Sequence, residues 1–235
     1  MHGRTLFRLI EIYISLAILA VSMVCCGVES VSYYSPPSFT YGGNVITLTH
    51  NTVNTESFLG YDIYYRVYND DNTAQADRTF IENASNSANS TPESVLGQVT
   101  SRGFKKMYLA AIPATAPTPL LSIASPTTAV TFTIQMPQST QSTNWYFTKS
   151  TDASLVPTEI IRCINSIGSN SFNSLYNPGD SDYAASIQAG DGTQVYMVAF
   201  AVAYGYDLTN LVSIFSFPAS LYSEIKYSIP SALGS

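Results

Sequence analysis

Histidine and cysteine are scarce in this chain, at two and three residues of 235. His2 lies in an N-terminal leader, so His50 is the single imidazole on which a Ser-His-Asp or Cys-His site would have to be built. It closes an expected strand, where a surface or packing role is the commoner one. No Cys/His cluster has zinc spacing, and neither a Walker sequence nor a Gly-rich dinucleotide fingerprint occurs. No catalytic, cofactor-binding or metal-ligating residue is therefore assigned from the sequence. Charge is also sparse, at 11% of residues against a usual ~25%. The net charge of −6 and the small size of the one basic group, Arg102 with Lys105 and Lys106, exclude a nucleic-acid face. Polar solubility comes instead from Ser, Thr, Asn and 17 tyrosines. An apolar content of 46% is enough to fill a core and speaks against disorder.

The N-terminus carries Arg4 and Arg8, then an apolar run over residues 12–24, then Cys25, Cys26 and Gly27. A basic start and a run of this length predict a secretory signal, since a membrane span needs ~20 apolar residues. An uncleaved membrane anchor is the alternative. Met23-Val24-Cys25-Cys26 resembles the end of a bacterial lipoprotein signal, in the relaxed form of spirochaetes. The resemblance implies a signal peptide over residues 1–25, acyl chains of the palmitate type on Cys26, with Cys25 as the other candidate, and attachment to the inner or outer membrane of a cell envelope. Cys163 is then the only free thiol, and no intrachain disulfide is possible.

What the chain has is strand pattern. Phe58–Tyr68, FLGYDIYYRVY, is dense in aromatic and β-branched residues. Alternation puts Tyr61, Ile63, Tyr65 and Val67 on a core face and Asp62, Tyr64, Arg66 and Tyr68 on a wet one. Val45–His50, residues 129–136, 144–148, 196–205 and 211–217 are further expected strands, and residues 104–112 another. Residues 157–164 fit strand or helix. In the 196–205 stretch Val198 and Phe200 share one face, and they are expected to join Ile63 and Tyr65 in a single core. Thr91-Pro92-Glu93 predicts a helix start, with Thr91 as N-cap, and Gly103 its stop.

A proline-rich lead, a strand, and then Gly60-Tyr61-Asp62-Ile63-Tyr64-Tyr65-Arg66 resembles the opening of a fibronectin type III domain. The 196–205 stretch, from a tyrosine to a glycine, resembles that family's penultimate strand. The family's tryptophan on the second strand is missing, for Leu48 or His50 stands there. The resemblance implies an all-β, immunoglobulin/fibronectin type III-like β-sandwich. A large insertion over residues 69–194 is expected to carry extra strands and one short helix. The expected organisation is a signal over 1–25, a Ser/Pro-rich tether over 26–43, and the sandwich over 44–235. The whole resembles uncharacterised lipoproteins of spirochaetes.

Two acidic clusters stand out: Asp70, Asp71 and Asp77 after the central strand, and Asp180, Asp182 and Asp191 before the 196–205 strand. Paired carboxylates serve acid-base chemistry or Ca²⁺, but Asp and Asn also favour turns. The loops of the insertion are the expected contact surface, through Trp145, Tyr146, Tyr176, Asp180 and Asp182, because aromatic anchors dominate binding patches. The alternative for Trp145 is a place in the core. The function expected is a non-enzymatic, lipid-anchored envelope protein that binds a protein or glycan, or assists envelope assembly. The alternatives are a carbohydrate-active enzyme using the loop carboxylates and a purely structural envelope component.

Overall fold

The computed structural model describes residues 33–50, 57–110, 119–136, 145–150, 158–164, 171–172, 175–190, 192–207, 211–221 and 223–229. The leader, Cys25 and Cys26 lie outside the described residues, as do Asp191 and the N-terminal part of the tether. The packed unit begins at Tyr33, ahead of the expected start at Asn44. Tyr34 and Phe39 are already buried, so most of the second half of the expected tether is part of the sandwich.

In chain order the first elements are strands β1 (Ser38–Gly42), β2 (Val45–His50) and β3 (Phe58–Tyr68). Helices α1 (Asp71–Ser85) and α2 (Pro92–Ser101) follow. Then come β4 (Lys105–Lys106), β5 (Tyr108–Leu109), β6 (Leu121–Ser122), β7 (Val130–Gln135), β8 (Trp145–Lys149) and β9 (Thr158–Ile161). The chain closes with β10 (Gln194–Asp207), β11 (Val212–Phe215), β12 (Ala219–Ser220) and β13 (Ile225–Ser228). One antiparallel sheet has the order β1-β2-β7-β8-β9-β5. The other runs β11-β10-β3-β4, with β6 on β3 and both β12 and β13 on β10. The first two strands stay in one sheet, the third crosses to the other, and a late long strand pairs with the third. This is the connectivity of immunoglobulin and fibronectin type III sandwiches, with a helical insertion.

The sandwich core holds Ile46, Leu48, Phe132 and Ile134 from the first sheet against Tyr61, Ile63, Tyr65 and Val67 from β3. β10 is buried on both faces, which is why it reads as a nearly unbroken apolar run. Met197, Ala199, Ala201 and Ala203 face the sandwich core. Their small side chains leave room for the aromatic rings opposite. Val198, Phe200 and Val202 face the other way, into a second core with Val95, Leu96 and Val99 of α2 and Ala74 and Ile81 of α1. Ile63, Tyr65, Val198 and Phe200 are all buried, but they divide between two cores rather than sharing one. The face of β3 expected to be wet is covered as well: Tyr68 is fully buried in the second core with the helices, and Asp62, nearly buried, is met by Leu120 N and Lys106.

Charge supplements apolar contact, in the roof through Asp71, Asp77 and Arg78 of α1 and elsewhere in the domain. Six of the eight Lys and Arg among the described residues are ion-paired: Arg66 and Arg102 to Asp77, Arg78 to Glu224, Lys106 to Asp62, Lys226 to Asp71 and Arg162 to Asp182. Asp77 of α1 also accepts from Tyr68 Oη at 2.8 Å. Two helices stand where one was expected. α2 starts as predicted, with a capping box between Thr91 and Ser94. α1 was hidden behind Asp70, which accepts from Thr73 N at 2.8 Å as its N-cap.

The strand expected over residues 104–112 is two strands in different sheets. β4 pairs with β3, and β5 pairs with β9. The chain changes sheets at Met107, whose N–H bonds Ile63 O at 2.8 Å. β9 settles residues 157–164 in favour of strand. Pro218 cannot continue a ladder, and the edge of β10 is shared by three short strands instead of one long one.

Candidate functional site

Arg162 follows β9 directly and carries the largest buried charge of the domain, with no exposed side-chain area. Its Nε donates to Asp182 Oδ2 at 2.9 Å and its Nη2 to Asp182 Oδ1 at 2.7 Å, a two-pronged pair. Nη2 also donates to Asp180 Oδ2 at 2.9 Å, and Nη1 to Leu175 O at 3.1 Å. The guanidinium lies over the Tyr176 ring at 3.7 Å. Asp182 Oδ2 accepts a further bond from Tyr65 Oη at 2.6 Å, and Tyr65 Oη in turn accepts from Cys163 N at 2.8 Å. Burial opposes the charge on Arg162, but its bonds to Asp182 outweigh that, and its pKa stands above the ordinary arginine value. Burial, and then the charge of Asp182, holds the Tyr65 phenol well above its usual range.

This cluster clamps one loop. Tyr176 and Ala189 exchange both backbone hydrogen bonds at 2.9 Å, so the loop between them returns to its own start. Val67 N donates to Asp182 O at 2.9 Å and Ala184 N donates to Val67 O at 2.8 Å, which ties the loop to the end of β3. Asp180 accepts from Asn177 N at 3.0 Å, and Tyr176 and Tyr183 lean together at 5.4 Å. A compact surface loop with joined ends, filled by its own side chains, is an Ω-loop. Residues 183–187 form no strand, and their one β contact is the isolated bridge from Val67 to Tyr183.

The five residues expected to form a contact surface are placed as follows. Tyr176, Asp180 and Asp182 do come together, but around Arg162 and beneath the loop. Trp145 stacks on Phe172 at 4.5 Å and meets Tyr227 edge-on, with 0% of its surface exposed. Tyr176 and Asp182 are equally buried, so three of the five cannot touch a partner. Trp145 takes the core position that was its alternative. Tyr146 and Asp180 keep partial exposure. The exposed large apolar groups of this end are Ile187 (62%) in the loop and Leu175 (46%) just ahead of it. Neither was singled out in the sequence, because an isolated apolar residue in a polar loop carries no periodic signal. Arg162 had one: a lone arginine inside an apolar segment, followed by an acidic loop, is a buried pair in waiting.

The other chemical groups are similarly engaged. His50 is fully buried: its Nε2 donates to Pro126 O at 2.9 Å, which leaves Nδ1 to accept from Tyr61 Oη at 2.7 Å. Burial raises the pKa of the Cys163 thiol, away from the thiolate a nucleophile needs. The acids of the first cluster serve as a cap (Asp70), a partner of Lys226 (Asp71) and the anchor of the helical roof (Asp77). Among the described residues no group of three or more His, Cys, Asp or Glu is placed to hold a metal ion. No described helix is long and apolar enough to cross a membrane.

Two measurements follow from this burial. The emission of Trp145, the only tryptophan, is expected to be blue-shifted and insensitive to acrylamide in the folded protein. Emission near that of free indole, with full quenching, would contradict its position. The buried phenols set the alkaline limit. Burial raises the pKa of Tyr61, Tyr65, Tyr68 and Tyr176 above the ordinary tyrosine value. An unfolded chain releases these protons near pH ~10 while the folded one retains them. The native state then binds more protons than the unfolded state, and stability falls as pH rises. The melting temperature is expected to decline steadily above pH ~10, and a flat profile there would contradict the burial of these rings.

The fold defines the class: a β-sandwich of immunoglobulin and fibronectin type III connectivity, roofed on one side by two helices. No family model, no curated protein and no solved structure matches the chain.

Proposed function

We propose that the protein is a non-enzymatic, lipid-anchored component of a cell envelope that presents the loop between Tyr176 and Ala189 to a protein or glycan partner. The observation that carries this reading is the loop itself. It is closed on its own ends and pinned from below by Arg162, yet it leaves Leu175 and Ile187 uncovered. A preorganised surface with exposed apolar groups loses little entropy on contact. The chain enters the domain at the opposite end. Tyr34 pairs with Ser216, and its hydroxyl lies against Gly205, beside the start of β3. The loop bonds the far end of that strand, and eleven strand residues span about 35 Å. An anchor at Cys26 would therefore hold the loop away from the membrane. Asp182 through both oxygens and Asp180 through Oδ2 accept from one guanidinium, which speaks against their use as a glycosidase pair.

Changing Cys26→Ser is expected to release the protein from the membrane or to leave its leader uncleaved, because attachment of this kind depends on several acyl chains. Mass spectrometry of the mature N-terminus checks this. An unmodified N-terminus at another residue would overturn the anchor.

A further inference from the structure

We propose that the end of the sandwich at which the chain enters rests in the lipid–water interface of the membrane that holds the anchor; this deepens, and rests on, the lipid-anchor reading above. Among the described residues seven large apolar side chains are exposed, and four of them, Tyr33, Leu59, Leu211 and Val212, belong to this end. Of the rest, Ile187 belongs to the distal loop with Leu175 just ahead of it, and Phe80 lies under the guanidinium of Arg102.

The strand register places Leu59, Leu211 and Val212 together, and Tyr33 borders them through the Tyr34–Ser216 bridge. Val212 pairs with Asp207 at the last residue of β10. Gly205, two residues back, pairs with both Ile214 and Phe58, and Leu59 follows Phe58. Tyr206 N bonds Ser57 O at 2.9 Å. Tyr33 sits against Phe217, with ring centres 6.4 Å apart. Leu211 is 69% exposed, the most of any, and its backbone is left-handed at φ 55°. A leucine rarely adopts that conformation, and it does so here with its side chain largely uncovered by the described residues.

The direction and length of the chain select the occupant. Tyr34 bridges Ser216 in parallel, so Tyr33 lies on the Val212 side of that bridge. Only residues 27–32 separate Cys26 from Tyr33. At no more than about 3.6 Å per residue, that distance is at most ~25 Å. The acyl chains of Cys26 therefore keep this end within reach of the bilayer at all times. Leucine and valine enter the acyl boundary, and tyrosine favours the headgroup level. Asp207 beside Val212 gives no attraction to anionic lipid, so a neutral bilayer is the appropriate probe.

The test uses the full lipidated protein in phosphatidylcholine vesicles, with Cys163→Ser and a single environment-sensitive fluorophore attached at Leu211→Cys, Val212→Cys or Ile187→Cys. A fraction of the lipid carries a doxyl quencher near the top of the acyl chain. The expected result is blue-shifted emission at 211 and 212, with a loss on adding quencher lipid several times that at 187. Equal and weak quenching at all three positions would overturn the membrane contact while leaving the anchor in place. Blue-shifted emission at 211 that quencher lipid does not touch would mean that a second copy or another protein covers this end, and would also overturn it. Failure of the protein to co-sediment with vesicles would remove the anchor, and this contact with it.

Discussion

Replacing Arg162 with methionine is expected to cost about 3–5 kcal/mol of stability, the penalty for stranding a buried charge. Asp182 has no exposed side-chain area, and among the described residues its ion-pair partner is Arg162. Methionine fills much of the space but returns none of the four donor contacts to Asp182, Asp180 and Leu175 O. Asp182 would then be left with the Tyr65 hydroxyl. Removing both charges, as Arg162→Met with Asp182→Leu, is expected to restore part of the loss, because a buried ion pair contributes little beyond its own desolvation. Urea denaturation reads both numbers from the shift in midpoint. The single variant should also expose the loop to protease, since Asp182 ties it to β3. A change below ~1 kcal/mol, the range of a surface pair, would mean that Arg162 does not pin the loop.

Truncating Phe200→Ala is expected to cost about 3–5 kcal/mol, the usual range for a buried phenylalanine. Phe200 is fully buried and meets Phe104 edge-on at 5.3 Å. Its neighbours in the second core are the apolar residues of α2 and the Tyr68 ring. The effect is therefore expected to be lopsided. Amide exchange should rise in α2, while Trp145, in the sandwich core, keeps its emission. A shift in Trp145 emission without loosening of α2 would mean that Phe200 belongs to the sandwich core after all.

Much of the sandwich was legible in the strands because aromatic alternation is a local signal. Val45–His50 and Phe58–Tyr68 have the boundaries that their pattern predicts. α1 was not legible, for a physical reason. Its buried positions are only Ala74, Asp77 and Ile81, so its apolar stripe is thin and includes a carboxylate. Its N-cap, Asp70, uses the same side-chain chemistry that favours turns. The two cores were misread as one because a strand buried on both faces gives no indication which face meets which layer. The candidate site was legible in part. The acidic loop and its tyrosine were found, but polar residues at such density suit a buried network as well as a contact surface. What separated the two was Arg162, whose partner lies 20 residues away.

The most direct test of a presenting loop is photo-crosslinking in intact cells, with a photoreactive residue at Ile187 and a control at the exposed Glu93 of α2. The account predicts a discrete protein or glycan adduct from position 187, absent from position 93 and lost in the Arg162→Met variant. Adducts that are equal at both positions, or absent from 187, would contradict it.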